Sequence, residues 1–366
     1  MGYQKILVLR LSAVGDVVRT LPAIQVLKEN YPATHITWVV EEPSKTFLES
    51  QPEVDQVILF PRRSWAEGIK SPRSLLRTAG EMTRFIQDLR KGPFDAVLDF
   101  HGILKSGIIS FLTGAPKRIG FGRRSTKEGN FLFSNVKVDL PRGSISRYER
   151  NFSLLRGMGL EANHVRPRLR IPSKDREYIE SFFHQLPEPL RRPLIAIHPG
   201  TNPKATFKRW MPDRYALLAD RLIRELKATV IFTWGLGEKG WVEGIQGKMT
   251  ERSLFAPRTE TLTQLGEIFR RCDLYVGGDT GPMHIASLTG TPLVAIFGPT
   301  NPIENQPCGQ YRMVRIDVGC NPCRKRSCKE LTCLDRVTVD DVLEAARELL
   351  ASPMNPGGRF VELQPS

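Results

Sequence analysis

The chain has 366 residues, which is long for a single hydrophobic core, so two domains are expected. Hydrophobic residues make up 40% and charged residues 25%, as in ordinary globular proteins, and no uninterrupted apolar run reaches the ~20 residues that a membrane-spanning helix needs. The net charge of +14 favours polyanionic partners, leaving open nucleic acid, an anionic membrane, a phosphorylated substrate or a merely solubilising surface.

The first residues lead directly into the apolar run Ile6–Leu9, without the basic, apolar and small-residue regions of a signal peptide. We therefore expect a cytoplasmic protein. The first half then alternates β-rich runs with helical patterns such as Pro22–Asn30 and Ser74–Arg90. The predicted strands are Ile6–Leu11, His35–Val40, Gln56–Phe60, Asp95–Phe100 and Val136–Leu140.

The second half repeats this alternation, with helices at Asp213–Leu226, Leu262–Arg271, Met283–Leu288 and Val339–Leu350. Its predicted strands are Leu194–His198, Thr229–Thr233, Leu274–Gly277 and Leu293–Phe297. Apolar strands alternating with helices indicate parallel sheets covered on both faces. The sequence predicts an α/β protein with two doubly wound domains facing a central cleft: domain 1–172, linker 173–193, domain 194–340, and a C-terminal helix and tail 341–366.

Three loops at predicted strand ends carry residues suited to catalysis or anion binding. The first contains Gly15, which permits a close approach or a positive φ, and Asp16. A loop between a strand and a helix presents free backbone N–H groups to an anion. Asp16 could be a helix cap or, equally, the general base for a sugar hydroxyl.

The second loop follows the first strand of the second half and runs from His198 to Trp210. It places Lys204, Lys208 and Arg209 beside glycine and threonine residues, including Thr201. Such cations suit a diphosphate because they neutralise charge on a leaving phosphate. The alternative is an exposed basic loop.

The third loop spans Gly277–His284 and carries the strongest signal. Its glycines permit a tight turn, and Asp279, Thr280 and Gly281 can offer backbone donors and a hydroxyl to phosphate at a helix N-terminus. His284 falls one turn into that helix. The sequence lacks a Walker loop, and no Gly-x-Gly-x-x-Gly follows the first strand, which argues against a nicotinamide dehydrogenase.

These motifs together resemble glycosyltransferase family 9, the heptosyltransferases of lipopolysaccharide core assembly, and within it most closely heptosyltransferase I. The resemblance covers roughly residues 3–350. It is carried by Leu9–Val18 with Thr20–Ala23, Trp38–Glu42, Asp99–Ser106, Asp279–His284 and Phe297–Thr300.

The resemblance implies a GT-B architecture that binds the acceptor in the N-terminal half and ADP-heptose in the C-terminal half. Asp16 is similar in position to the family's catalytic base, and Lys208 to the lysine that meets the donor diphosphate. The transfer would invert the anomeric centre without a covalent sugar–enzyme intermediate or a catalytic metal. The implied donor-binding residues are Gly15, Thr201, Glu238, Asp279, Thr280, Gly281 and His284.

The acceptor implied by the resemblance bears Kdo carboxylates and lipid A phosphates, which suit the basic residues of the first half. The same residues could hold the protein against the anionic inner-membrane surface, or could be plain surface charge. The acceptor-side candidates are Ser12, Arg62, Arg63, His101, Lys105, Arg123 and Arg124.

Cysteines mark the departure from heptosyltransferase I. Four of them, Cys320, Cys323, Cys328 and Cys333, lie within fourteen residues, which predicts either a structural zinc or iron site or free thiols. Disulfides are not expected in a reducing compartment.

Alternative functions also follow from the sequence. Within the family, the chain could transfer a second heptose or another core sugar. A sugar-nucleotide epimerase would share the fold, and a nucleic-acid-binding protein would exploit the positive charge. The basic stretch lacks interleaved aromatic residues and a recognisable binding module, so no nucleic-acid partner is expected.

Overall fold

The computed structural model describes residues 2–70, 72–162, 168–186, 190–323, 325–351 and 359–360. It divides into two compact units, residues 1–165 and 166–366. Each unit is built on one all-parallel sheet, the pattern predicted for an α/β protein with two doubly wound domains.

The first unit contains a six-stranded sheet in the order β3-β2-β1-β4-β5-β6. Its strands are β1 Lys5–Leu9, β2 His35–Val40, β3 Gln56–Leu59, β4 Ala96–Asp99, β5 Lys117–Phe121 and β6 Val136–Val138. Its helices are α1 Val14–Asn30, α2 Lys45–Glu49, α3 Arg62–Gly68, α4 Pro72–Arg90, α5 Leu104–Leu112 and α6 Arg147–Arg156. Short 3₁₀ helices lie at Glu42–Ser44, Arg123–Ser125 and Asn130–Leu132.

The second unit contains a seven-stranded sheet in the order β13-β12-β11-β10-β7-β8-β9. Its strands are β7 Leu194–His198, β8 Thr229–Phe232, β9 Leu254–Phe255, β10 Leu274–Gly278, β11 Leu293–Ile296, β12 Tyr311–Val314 and β13 Arg359–Phe360. Its helices are α7 Ser173–His184, α8 Pro212–Leu226, α9 Lys239–Gln246, α10 Leu262–Arg271, α11 Gly281–Thr289, α12 Pro302–Asn305, α13 Thr332–Asp335 and α14 Val339–Ala351. A 3₁₀ segment covers Pro203–Lys208.

The central strands are almost entirely apolar, as expected where helices cover both sheet faces. β1, β7 and β10 bury nearly every residue, which is the environment of a parallel sheet. The predicted strands therefore occur within a residue or two of their expected positions. Strands that sequence analysis did not predict are β5, β9, β12 and β13.

The domain boundaries differ from the expected ones. The two units divide at residues 165 and 166 rather than at 172. The expected linker contains α7, which belongs to the second unit because buried Asp175 accepts hydrogen bonds from Thr261 and Thr263, at the start of α10. The C-terminal helix α14 also belongs to this unit, since Leu343 and Leu349 lie in its core. Of the tail, residues 352–358 and 361–366 lie outside the described part.

Both sheets have a topological switch point, where the chain reverses the direction in which it adds strands. It lies between β1 and β4 in the first unit and between β7 and β10 in the second. Ligands of open α/β sheets bind outside the carboxyl ends of the strands at such points. Within the described ranges, none of the helices combines the length and the apolar character needed to cross a bilayer.

Candidate active site

The loops that follow β1 and β4 meet at the switch point of the first unit. The backbone N–H of Leu11 donates to His101 Nδ1 at 3.1 Å, so the proton of the neutral imidazole lies on Nε2. Buried Asp99 holds the second loop by accepting from the backbone N–H groups of His101 and Gly102 at 2.9 and 3.1 Å. These bonds set the positions of the residues around Asp16.

Asp16 lies in the first turn of α1 and is held between two arginines. Its Oδ2 lies 2.5 Å from Arg10 Nη2 and its Oδ1 lies 2.6 Å from Arg19 Nη2. The carboxylate is 25% exposed, while both arginine side chains are 9% exposed. The helix cap is Ala13, so the capping alternative for Asp16 does not hold. Gly15 is helical, so of its two predicted roles only a close approach remains open.

The charge state of Asp16 follows from this pairing. Burial raises the pKa of the carboxyl, but the positive charges of Arg10, Arg19 and Arg147 outweigh it and hold the pKa well below its usual range. Asp16 is therefore a carboxylate throughout the physiological pH range. Burial, with help from Arg10, lowers the pKa of His101 to about 4, so its imidazole is neutral.

Sequence reasoning missed two arginines on α6. Arg147 contributes to the low pKa of Asp16, and Arg150 stacks on Phe121, with its guanidinium carbon 3.7 Å from the ring centroid. Burial, followed by the charges of Arg147 and Arg10, lowers the pKa of Arg150 to about 10. Helix α6 reaches this position by packing on α1. Ser146 with Glu149 at its start is a capping signal that could have revealed the helix.

The acceptor-side candidates fall into two groups: residues near His101 or in the β1–α1 loop, and residues on the exposed surface. Arg62 and Lys105 lie close enough to His101 to lower its pKa, and Ser12 belongs to the β1–α1 loop. Arg63 pairs with Glu67 on an exposed turn of α3. The structure also places Arg123 and Arg124 on the surface, in the 3₁₀ helix Arg123–Ser125.

In the second unit, Lys208 and Asp279 bridge the loops that follow β7 and β10. Lys208 Nζ donates to Asp279 Oδ2 at 2.9 Å. The carboxylate is 7% exposed and the lysine side chain 23%, so one side of the pair is accessible. Because β7 and β10 are adjacent, this pair lies at the switch point of the second sheet.

Glu238 is a buried carboxylate at the ends of β7 and β8. It accepts hydrogen bonds from the backbone N–H of Gly235 at 2.8 Å and from that of Thr201. Burial raises its pKa, and these bonds with the charge of Arg209 oppose that shift. A Cβ on Gly200 would lie 2.1 Å from Glu238 Oε2, so any larger residue there would force this carboxylate to move.

Arg209 links the predicted donor residues of this loop. It donates from Nε to Thr201 Oγ1 at 2.9 Å, and its guanidinium carbon lies 4.4 Å from the centroid of the Trp241 ring. Its Nη2 lies 3.9 Å from Glu238 Oε1. The β7 loop therefore forms a connected network around a cation and a buried carboxylate.

Helix α11 begins two residues after Asp279. Thr280 is its N-cap residue and Gly281 its first residue, so the free N–H groups of the first turn point toward the β10 loop. His284 is 2% exposed, which places its imidazole in the interior of the unit rather than at an open surface. Its role as a donor contact stays a prediction.

The four clustered cysteines lie in the segment after β12. Burial, followed by the neighbouring thiols of Cys323, Cys320 and Cys328, raises the pKa of Cys333. In the described part of the chain, which includes all four, no three His, Cys, Asp or Glu side chains come together in a way that could hold a metal ion. The metal site stays a prediction, with free thiols as its alternative.

Two doubly wound parallel units with polar loops at their switch points form the GT-B architecture that the sequence predicted. The chain belongs to glycosyltransferase family 9 (heptosyltransferase), which it matches over residues 82–334. It is thus a glycosyltransferase, as the sequence predicted.

Similar proteins include both kinds of heptosyltransferase. The chain is 27% identical to the lipopolysaccharide core heptosyltransferase OpsX of Haemophilus influenzae, covering 82% of this chain and 80% of that protein. It is 25% identical to lipopolysaccharide heptosyltransferase 1 of Campylobacter coli, covering 94% and 98%. It is 27% identical to lipopolysaccharide heptosyltransferase 2 of Escherichia coli, again covering 94% and 98%.

Solved structures share the fold. A family 9 glycosyltransferase of Veillonella parvula superposes with a TM-score of 0.73 at 24% identity, covering 95% of this chain and 97% of that one. Escherichia coli heptosyltransferase WaaC with ADP gives 0.72 at 20% identity, covering 94% and 100%. The iron-containing dodecameric glycosyltransferase TibC of Escherichia coli gives 0.53 at 14% identity, covering 95% and 76%.

Proposed function

We propose that this enzyme transfers a heptose from ADP-heptose to the Kdo–lipid A inner core of lipopolysaccharide, with inversion at the anomeric carbon. The observation that carries this proposal is the pairing of partly exposed Lys208 with buried Asp279 at the switch point of the second sheet, within a chain that belongs to a heptosyltransferase family. In this proposal the second unit binds the donor and the first unit binds the acceptor.

The donor site is supported by the charges and backbone donors of the second unit. Lys208 supplies a cation, and the first turn of α11 supplies N–H groups at the positive end of a helix dipole. These groups suit a diphosphate and stabilise the negative charge that grows on departing ADP. As a carboxylate, Glu238 is suited to accept hydrogen bonds from the hydroxyl groups of a ribose. The ADP in the WaaC structure agrees with this nucleotide.

The proposed base is Asp16. The acceptor hydroxyl oxygen attacks the anomeric carbon, the bond from that carbon to the diphosphate oxygen breaks, and the hydroxyl proton passes to the Asp16 carboxylate. Because its pKa is held low by Arg10 and Arg19, Asp16 is a weak base. It accepts the proton late, when formation of the new C–O bond has made the hydroxyl strongly acidic.

The acceptor site is supported by the concentration of arginines around Asp16. Arg10, Arg19, Arg147 and Arg150 lie on β1, α1 and α6 or next to them, and Arg62 and Lys105 lie near His101. Such a cluster suits the carboxylates and phosphates of an anionic glycolipid. The neutral His101 offers its Nε2–H as a further donor.

The other candidate reaction is transfer of a second heptose or another core sugar. The relatives include both heptosyltransferases 1 and 2, which supports this alternative. In either case we propose that the enzyme works at the anionic face of the inner membrane. Lys208 and the helix N-terminus supply the leaving-group stabilisation, so the proposed reaction requires no metal. The proposal involves no nucleic acid.

The direct test incubates the purified enzyme with ADP-heptose and Kdo–lipid A, with other sugar nucleotides and with an acceptor that already carries one heptose. ADP release and product mass identify the transfer. Product only from the heptosylated acceptor would assign the second-heptose reaction, whereas conversion of ADP-heptose without an acceptor would contradict transferase function.

A further inference from the structure

Helix α5 exposes an apolar stripe on the surface of the first unit. Leu104, Ile108 and Phe111 follow one another at spacings of four and three residues, so they lie on one helix face. Their exposed fractions are 39%, 40% and 56%. The opposite face, including Ser106 and Ile109, is buried. Single exposed apolar residues are ordinary, but a stripe of them marks an interaction surface.

The neighbouring 3₁₀ helix, Asn130–Leu132, carries a further exposed apolar side chain. It packs closely on α5 at Gly107, where a Cβ would lie 2.7 Å from the ring of Phe133 and 2.8 Å from Asn130 Nδ2. Leu132 is 70% exposed. We call Leu104, Ile108, Phe111 and Leu132 together the α5 patch.

Cations border the α5 patch. Arg118 is fixed beside it by donating to the carbonyl of Phe133 at 2.9 Å, and its guanidinium carbon lies 5.6 Å from the centroid of the Phe111 ring. Lys105 follows Leu104 directly and is exposed. Arg123 and Lys137 lie 5.8 and 5.7 Å from the centroid of the Phe131 ring, next in sequence to Leu132. An acidic side chain is also present, since Glu128 accepts from the Leu104 N–H.

We propose that the α5 patch docks on an anionic lipid bilayer, with its apolar side chains in the interfacial region and its bordering cations on lipid phosphates. An apolar face bordered by basic side chains is the combination that binds anionic membrane surfaces. A second copy of this chain is disfavoured as the occupant, because the net charge of +14 and the cations at the border would repel each other. The docking is argued without the proposed function. Only its purpose, which is to bring the enzyme to a lipid-anchored acceptor, rests on that function.

The position of α5 gives the docking a catalytic consequence. The helix begins three residues after His101 and has nine residues, which corresponds to a length of about 13 Å. Docking through the α5 patch would keep the His101 loop, and Asp16 near it, close to the bilayer surface. A lipid-anchored acceptor could then present its sugar to the base while its acyl chains stay in the membrane.

The test is co-sedimentation of the full chain with vesicles of phosphatidylethanolamine and phosphatidylglycerol, and with pure phosphatidylcholine vesicles. We expect the wild type to bind the anionic vesicles and to lose binding as salt is raised. The triple variant Ile108→Ser, Phe111→Ser, Leu132→Ser should bind them at least about tenfold more weakly. Its residues are exposed, so it should fold as the wild type does.

The matched control is Leu75→Ser with Leu76→Ser, on the exposed face of α4, which should bind vesicles like the wild type. Wild-type binding by the triple variant, or loss of binding in the α4 control alone, would overturn the proposal. A smaller assembly for the triple variant than for the wild type by light scattering, without weaker vesicle binding, would also overturn it.

Transfer to a water-soluble acceptor without acyl chains separates this inference from the proposed function. The triple variant should keep wild-type turnover on that acceptor while losing vesicle binding. A wild type that binds anionic vesicles through the α5 patch but transfers no heptose would contradict the proposed function and leave the docking surface intact.

Discussion

Lys208 Nζ lies 2.9 Å from Asp279 Oδ2, so the cation proposed for the donor diphosphate is paired with a buried carboxylate. The pairing fixes the lysine at the end of β10 and keeps its charge at the start of α11. A buried carboxylate without this partner would carry a large desolvation cost. Lys208 therefore has both a structural and a proposed catalytic role, and a test must distinguish them.

Replacing Lys208 with alanine should reduce kcat/KM for ADP-heptose on the order of 10²–10³-fold, because a preorganised cation at the leaving phosphate would be lost. Steady-state kinetics and the binding of ADP by calorimetry measure the effect. Lys204→Ala is the control, since Lys204 is exposed in the same loop and should behave like the wild type. Unchanged kinetics in the Lys208 variant, with a normal unfolding temperature, would remove this residue from the site.

Replacing Asp16 with asparagine should lower kcat about 10²–10⁴-fold, because the amide cannot accept the acceptor's proton. Binding of ADP-heptose should stay within about twofold of the wild type, since the second unit binds the donor in the proposed mechanism. Asp88→Asn, on exposed α4, is the matched control in the same unit. Turnover above about a tenth of the wild-type rate in the Asp16 variant would show that another group is the base.

The contact between Gly200 and Glu238 predicts a strong dependence of one residue on the other. Gly200→Ala should destabilise the chain by about 1–3 kcal/mol and weaken donor binding, because the new methyl group would overlap Glu238 Oε2. In a Glu238→Ala background the same change should cost much less, which chemical denaturation can measure. Gly240→Ala, where nothing lies within 4 Å of the added Cβ, should not destabilise. Additive costs of the two changes would contradict the predicted overlap.

Two neutral histidines predict a loss of stability in mild acid. Burial lowers the pKa of His198 to about 3 and that of His101 to about 4. As pH falls through about 6.5, the histidines of the unfolded chain gain protons while those of the folded chain do not. The contribution of the neutral histidines to the free energy of unfolding is therefore present above pH 6.5 and is lost progressively below it.

Between pH 7.5 and 5.5 the expected loss is about 1 kcal/mol for His198, measured by urea unfolding. His198→Gln should be less stable at pH 7.5 but should show a shallower decline. His184→Gln, on an exposed side of α7, should keep the wild-type decline. Equal slopes in all three proteins would show that His198 is not a buried neutral group.

The fold could be predicted because its strands are buried on both faces and so read as short apolar runs between helices. β2 and β7 lie where the sequence placed them. β5 was missed because Lys117 and Arg118 begin it, and those polar residues at a strand edge hide the apolar pattern. β9 and β13 have two residues each, too few for any periodicity.

The candidate site could be predicted only where loops and strand ends carry local signals. Asp16, Lys208 and Asp279 lie beside such signals, and the structure brings the last two together. The arginine cluster around Asp16 could not be assembled from sequence because α6 reaches α1 across a separation of more than 100 residues. Asn151 on α6, for example, donates to the carbonyl of Arg19 at 3.0 Å.

The ion pairs of Arg10 and Arg19 with Asp16 affect how readily water can hydrolyse the donor in place of the acceptor. Water carries no charge with which to displace either guanidinium, so it meets a carboxylate whose two oxygens are each paired with an arginine. A polyanionic glycolipid can draw the arginines toward itself and release the oxygen that must take up a proton. We therefore expect the enzyme to hydrolyse its donor slowly until a negatively charged acceptor binds.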